Sequence, residues 1–396
     1  METDAFHALL TPDGRRALSH AEELLASGAD RVAATAAMRR SHSAELTASA
    51  LTQARLRERA VDKFGADAKL MYFTPHGLEQ ATRTIVATLR AERFSSYPQA
   101  VDNVIDVCCG IGGDLVALAR RGLTVEGVDL DPLTVAVARA NVAALGLQDL
   151  AKVTVADAAE SGVAGHDAVF ADPARRRSGG ERIFDPHAYS PSWSTVLRLV
   201  SGARAGCVKV APGIPHELIP ARAEAEWVSH RGEVKEAALW FGEFTSGAAR
   251  RATLLPSGET LTPDPSLGPP PDGPPGKYLY EPDGAVIRAH LVAEVAAAVN
   301  GWLLDPRVAY ITSNELIGTP FATAYEIEEV LPFSLKKLRA VLRHRGVGTV
   351  TVKKRGSAVD VEKLRKDLKL DGDRSAVVVL TRIGIKPYAI LCNHLR

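Results

Sequence analysis

NVIDVCCGIGGD, residues 103–114, is the stretch whose reading decides the fold. Val104 to Val107 is a short apolar, largely β-branched run of the kind that fills a buried strand, and Gly113 to Arg121 reads as a helix. Cys108 to Gly112 is then a glycine-rich turn from strand into helix. The rhythm continues downstream. Thr124 to Val128 reads as a second strand and Leu133 to Leu145 as a second helix, stopped by Gly146. Lys152 to Val155 and Asp167 to Phe170 read as strands three and four, and Trp193 to Val200 as a helix leading to a fifth strand, Gly206 to Val210. Glu226 to Ser229 and Ala237 to Phe241 add two more. Strands alternating with helices imply an α/β fold with a doubly wound, mainly parallel sheet.

The turn itself discriminates between cofactors. Dinucleotide binders place GxGxxG here so that a helix N-terminus receives a pyrophosphate. From Gly110 the pattern runs G-x-G-x-x-Leu115, and Asp114 puts a carboxylate where the pyrophosphate would lie. S-adenosylmethionine carries a sulfonium and an ammonium and no phosphate, so Asp106 and Asp114 suit it. Asp129, 23 residues beyond Asp106 at the end of the second strand, is placed to bond ribose hydroxyls, a feature shared with NAD sites. Asp157, followed by Ala158 after the third strand, is placed to read the adenine amine.

After the fourth strand comes Asp172-Pro173-Ala174-Arg175-Arg176-Arg177. Amine-directed base methyltransferases carry (Asp/Asn)-Pro-Pro-aromatic at this point. Their carboxylate and a prolyl carbonyl accept hydrogen bonds from the exocyclic amine, and the aromatic ring stacks on the base. Asp172 and Pro173 match the first half, while Ala174 and Arg175 replace the second Pro and the aromatic; Arg175 can stack on a base or grip phosphate. Uracil-C5 chemistry needs a cysteine nucleophile just before a Pro after strand five. Cys207 lies within the predicted strand, five residues ahead of Pro212, so that reading fails. Cys108 and Cys109 read as small packing residues, and Lys209, an uncommon residue in a strand, reads as either a snorkelling edge lysine or a catalytic one.

At these residues the chain resembles class I S-adenosylmethionine-dependent methyltransferases. The form Asp106-x-x-Cys109-Gly110-x-Gly112-Gly113-Asp114 is similar to that of the trimethylguanosine synthase-like group. With Phe73-Thr74-Pro75 to Ala81 (FTPHGLEQA) upstream and a basic tail containing Lys353-Lys354-Arg355-Gly356 downstream, nearly the whole chain resembles bacterial proteins that join such a methyltransferase to a C-terminal THUMP-like domain. The resemblance implies a Rossmann-like core, donor contacts around Asp106, Cys108, Gly110, Gly112, Asp129 and Leu130, and an RNA substrate such as tRNA or rRNA presented by the tail. Phe73 and Thr74 are candidates to cover the donor, Phe73 otherwise serving as a hydrophobic staple for the helix that follows.

Composition sets the frame. The chain has 396 residues, 46% hydrophobic and 24% charged, enough for two or three domains of a soluble globular protein. It has no 18-residue uncharged apolar run and no basic-then-apolar leader, so neither a membrane span nor a secretion signal is expected. Four cysteines without a CxxC pair predict no metal site and no disulfide scaffold, and hence a cytoplasmic protein. Residues 1–95 read as helical, 96–245 as the catalytic domain, 246–276 as a hairpin and a Pro/Gly-rich linker (TPDPSLGPPPDGPPG, Thr262 to Gly276), and 277–396 as an α+β region whose THUMP-like part begins near 325.

A net charge of +1 hides an asymmetry. From Lys336 onward there are 16 Lys or Arg against 5 Asp or Glu, a balance of +11. No acid stands between Val330 and Val359, while Lys336, Lys337, Arg343, Arg345, Lys353, Lys354 and Arg355 crowd together. Such a surface attracts polyanions, and these seven are the expected RNA contacts. The sequence therefore predicts an S-adenosylmethionine-dependent methyltransferase acting on an RNA base, with Asp172, Pro173 and Arg175 at the acceptor. Two alternatives stay open: an RNA-binding protein with an inactive methyltransferase core, and a small-molecule methyltransferase.

Overall fold

The computed structural model describes residues 2–96, 101–174 and 186–395, and divides the chain into two compact units. The first holds residues 1–225 and 236–247. It begins with six helices: α1 (Thr3–Leu10), α2 (Pro12–Ala26), α3 (Arg31–Met38), α4 (Ala44–Phe64), α5 (Pro75–Gln80) and α6 (Thr84–Ser95). Side chains cap four of them at the N-terminus: Thr11, Asp30, Ser43 and Thr74 each accept a backbone N–H.

The sheet follows as β1 (Asn103–Val107), α7 (Gly113–Ala119), β2 (Thr124–Asp129), α8 (Pro132–Ala144), β3 (Ala151–Val155), β4 (Ala168–Ala171), α9 (Trp193–Ser201), β5 (Ala205–Val210), β6 (Glu224–His230) and β7 (Glu233–Gly242). In this unit the strand order is β3-β2-β1-β4-β5-β7, parallel except for β7, which runs against β5. This is the doubly wound, Rossmann-like α/β sheet that the sequence predicts. All parallel strands end on the same edge, where ligands bind in such folds.

The N-terminal helices do not stand apart as a separate region. Their apolar faces close on Ile111 of the turn and Val137 of α8 in one buried cluster. Asn141 of α8 fixes the junction: its amide donates to Tyr72 O (3.1 Å) and Ile111 O (2.9 Å), and its Oδ1 accepts from Tyr72 N (2.6 Å). A fully buried amide is stable there because its polar atoms are paired.

The second unit comprises residues 226–235 and 248–396. It adds β8 (Arg250–Leu255) and β9 (Glu259–Leu261), joined beside β6 in the order β6-β8-β9. The remaining elements are β10 (Tyr278–Pro282), α10 (Gly284–Arg288), α11 (Val292–Ala298), β11 (Trp302–Asp305), β12 (Val308–Ser313), β13 (Ala322–Pro332), α12 (Leu335–His344), β14 (Val347–Lys354), α13 (Val361–Leu368), β15 (Arg374–Ile383) and β16 (Lys386–His394). They build a seven-stranded sheet in the order β11-β12-β10-β13-β16-β15-β14. Alternation along β15 serves two cores: Val377 and Val379 face Tyr310 and Tyr325, while Val378 and Leu380 face Leu338, Leu342, Leu364 and Leu368 of α12 and α13.

The Pro/Gly run, expected to be a linker, is instead bound within the second unit. Gly273 N–H donates to Leu303 O (3.0 Å), Trp302 Nε1 to Pro274 O (2.8 Å) and Gly276 N–H to Thr312 Oγ1 (2.8 Å). Prolines lack N–H groups, so the run is held by its glycine amides and its carbonyls.

Candidate active site

The turn after β1 is pinned to the end of β2. Cys108 N–H and Cys109 N–H both donate to Val128 O, at 2.9 and 3.0 Å. Cys108, Gly110 and Gly112 take left-handed φ values of 66°, 56° and 87°. Cys108 is uncommon in that region, and non-glycine strain of this kind concentrates at functional sites. Gly127 of β2 permits the close approach beneath: a Cβ there would meet Leu115 Cδ1 at 2.4 Å. Above the turn the space is open, since a Cβ on Gly110 would meet nothing within 4 Å.

Asp129 closes the turn from the side. Its Oδ2 accepts from Gly110 N–H and its Oδ1 from Asp131 N–H, each at 3.0 Å. Burial raises its carboxyl above the usual range, and those amides oppose the rise. Leu130 follows with its side chain 69% exposed. Asp129 pairs in register with Val155, so Asp157, exposed and accepting from Ala159 N–H (2.7 Å), and buried Ala158 stand just beyond the neighbouring strand end.

Behind the turn lies a buried cluster of charge. Asp106 is 0% exposed, and among the described residues neither carboxylate oxygen has a hydrogen-bond partner. Burial, reinforced by Asp114, Asp172 and Asp129 against the opposing Arg90, lifts its carboxyl well above the ordinary range. Arg90 of α6 reaches in to pair with Asp114 (2.9 Å) and Glu236 of β7 (2.8 Å), and its guanidinium lies 4.6 Å from the Phe170 ring centre. Burial acts to raise Asp114, but Arg90 and Lys209 bring it below the usual value; for Glu236 burial prevails and the carboxyl is raised. Lys209 of β5 donates to Asp172 Oδ2 (2.6 Å) and Thr82 Oγ1 (2.8 Å).

The structure thus gathers Asp106, Cys108, Gly110, Gly112, Asp129, Leu130, Asp157 and Ala158 along the ends of β1, β2 and β3. Asp172 and Pro173 come directly after β4, with Asp172 N–H donating to Val107 O (3.3 Å). Phe73 and Thr74, two further expected donor contacts, lie beside Ile111 of the turn. Phe73 is fully buried against Phe64 (ring centres 5.3 Å apart) in the helical cluster, where its apolar ring packs as a core residue. Thr74 caps α5 by accepting from Gly77 N–H (2.9 Å). Arg175 lies outside the described residues. Cys207 is fully buried in β5 with its thiol pushed up by burial to about 12, which removes it as a nucleophile.

Sequence reasoning missed Arg90, Thr82 and Glu236. Of the two readings of Lys209, burial between two strands removes the snorkelling one.

In the second unit, α12 and α13 turn Leu338, Leu342, Leu364 and Leu368 inward and leave Lys336, Lys337 and Arg343 exposed. Three of the seven expected RNA contacts are already committed to acids. Arg345 pairs with Glu328 and Glu329 of β13, and Lys353 (2.9 Å) and Arg355 (3.7 Å) share Glu281 of β10. Glu281, well ahead of the basic run, and Glu328 and Glu329, just before it, are brought to these cations by the sheet. Lys354 is exposed and donates to Val359 O (3.1 Å). Among the described residues no cluster of His, Cys, Asp and Glu is arranged to hold a metal, and no helix is long and apolar enough to cross a membrane.

A doubly wound sheet with a glycine turn, a strand-two acid and a buried anionic floor defines a class of nucleotide-cofactor enzymes without a phosphate site. Comparisons with known proteins agree. A methyltransferase domain profile matches residues 104–172, a THUMP domain-like profile residues 322–394, and a domain of unknown function residues 2–60. An uncharacterised S-adenosylmethionine-dependent methyltransferase of Mycobacterium tuberculosis is 39% identical over 343 residues, 83% of this chain and 91% of its own length. A 23S rRNA (uracil(1939)-C(5))-methyltransferase of Acidithiobacillus ferrooxidans is 42% identical over 60 residues, 15% of this chain and 14% of its own. The crystal structure of a Porphyromonas gingivalis W83 protein named as a methyltransferase shares the fold, with a TM-score of 0.73, 20% identity, and coverage of 90% and 92% of the two chains. The chain belongs to the S-adenosylmethionine-dependent methyltransferases and carries a C-terminal THUMP-like domain.

The residues present fit that donor. Asp106 is a buried carboxylate without a partner among the described residues, in a buried cluster where the described acids outnumber the described bases, and nothing lies within 4 Å of where a Cβ on Gly110 would point. When bound, S-adenosylmethionine supplies a methyl group on a sulfonium, an electrophile that needs no further activation.

Proposed function

We propose that the protein methylates an exocyclic amine of a base in structured RNA, such as tRNA or rRNA. In this reading Asp106, Cys108, Gly110 and Gly112 form the floor and wall of the donor site, Asp129 accepts from the ribose hydroxyls, and Leu130, Asp157 and Ala158 border the adenine. Asp172 accepts a hydrogen bond from the acceptor amine and holds its lone pair out of conjugation, with Pro173 shaping the slot. Orientation of the nitrogen in line with the methyl group is the main contribution the chain makes, and Asp172 is also the nearest acceptor for the amine proton.

The observation that carries the RNA assignment is the outward basic face of the THUMP-like region, where Lys336, Lys337 and Arg343 are exposed on a helix without an acid. Similarity to a uracil-C5 methyltransferase over 60 residues also supports an RNA acceptor, but buried Cys207 lacks the nucleophile's chemistry, which favours the amine. Incubating the protein with total cellular RNA and methyl-labelled donor is the test. Label in RNA is expected, and nucleoside mass spectrometry identifies the product; label only in a small-molecule fraction, or in nothing, overturns the reading.

Three outcomes are expected of variants. Asp129→Ala should weaken donor binding by about tenfold or more in calorimetry, the loss of hydrogen bonds to a charged acceptor. Replacing Lys336, Lys337 and Arg343 together by Glu should lower RNA affinity and reduce the log–log salt slope by roughly two to three. Arg345→Ala should leave that slope near the wild-type value, because Glu328 and Glu329 already take its charge.

A further inference from the structure

We propose that Lys209 is a positioning residue for methyl transfer, whose ammonium aims the Asp172 carboxylate at the acceptor. The inference rests on the reading of Asp172 as the acceptor-facing group.

Lys209 is 3% exposed, in a strand whose every residue is buried and which pairs on both sides, with β4 and β7. Burying an ammonium there carries a desolvation cost before its partner is counted, and an apolar chain of the same length would fill the slot without that cost. Stability alone is therefore a weak reason for a lysine. Its two contacts supply a better one. Nζ lies 2.6 Å from Asp172 Oδ2 and 2.8 Å from Thr82 Oγ1, and Thr82 in turn hydrogen-bonds Asp114.

The charged and titratable groups facing this pair are Asp106 of β1, Cys108 of the turn, Asp114 of α7, Glu236 of β7 and Lys63 of α4. Arg90 is committed to Asp114 and Glu236, and Lys63 donates to the carbonyls of Leu78, Glu79 and Ala81. Among the described residues Lys209 is the cation in direct contact with Asp172. Without it the carboxylate loses the hydrogen bond that fixes Oδ2, and a carboxylate free to turn no longer presents an oxygen to the acceptor N–H.

Lys209→Met and Lys209→Gln test this with full-length protein. In Lys209→Met, S-adenosylmethionine binding by calorimetry should stay within about threefold of wild type, and a crystal structure should show the Asp172 carboxylate displaced. Lys209→Gln keeps a neutral donor at Asp172. There, kcat for transfer to total RNA should fall roughly tenfold or more while the KM for donor holds. Lys209→Arg should restore part of the rate. An unmoved Asp172 in a folded Lys209→Met protein, or an unchanged kcat in Lys209→Gln, overturns the proposal. If Lys209→Met does not fold, the kcat-against-KM split of Lys209→Gln decides. If wild type labels no RNA, the RNA assignment fails, and the position of Asp172 in Lys209→Met still decides the role of Lys209.

Discussion

Asp106→Asn is expected to raise the melting temperature of the ligand-free protein at neutral pH while weakening S-adenosylmethionine binding by roughly 10- to 100-fold. Both effects come from one carboxyl. Its folded-state pKa is raised well above the unfolded value, chiefly by burial. A group shifted in this direction favours folding below its unfolded pKa, and that contribution is lost as pH rises through the folded pKa. The cost of this carboxyl to folding therefore grows as pH rises toward the folded pKa, and an uncharged amide of the same shape helps more the higher the pH. The donor reverses the sign by bringing cationic charge to the site. Melts at pH 5 and pH 8 with and without donor check this: the advantage of Asp106→Asn should be larger at pH 8 and vanish when donor saturates the wild type. A variant less stable at pH 8 that still binds donor at full strength would remove Asp106 from the site.

Asp172→Asn is expected to leave donor affinity within about threefold and to reduce methyl transfer by roughly two to three orders of magnitude, the scale of a lost proton acceptor that also orients the nucleophile. The amide keeps an oxygen for Lys209 but leaves that ammonium without its counter-charge, so a loss of about 1–3 kcal/mol in urea unfolding should accompany it. Transfer and binding falling together would place Asp172 in the donor site instead of at the acceptor.

The catalytic core was legible because its strands are short apolar runs and its punctuation is chemical. Gly112 starts α7 in the left-handed conformation, Asp131 caps α8, and Gly146 follows it at positive φ. What was not legible depended on partners remote in sequence. Ala289 to Val299 has helical composition, yet the helix breaks at His290 (φ 56°), where Leu291 N–H returns to Val286 O and a new helix starts at Val292. β11 to β13 carry no strand signal of their own, since strands such as Ala322–Pro332, with buried and exposed positions mixed irregularly, show no clean alternation.

The site shows the same division. Asp106, Asp129 and Asp172 were found from strand ends, which sequence marks well. Arg90 and Glu236 were not, because a charge on a helix or strand looks like a surface charge until the fold brings its counter-charge to it. The seven basic residues illustrate the converse. Their cluster was visible, but Glu281, Glu328 and Glu329, which lie ahead of it in sequence, become its partners only when β10 and β13 join the sheet.

A crystal soaked with S-adenosylmethionine is the most direct single measurement. The adenosine should lie over Gly110, with its ribose hydroxyls on the Asp129 carboxylate and its cationic end toward Asp106. Donor bound away from the ends of β1 and β2, or a ribose that leaves Asp129 untouched, would contradict that placement.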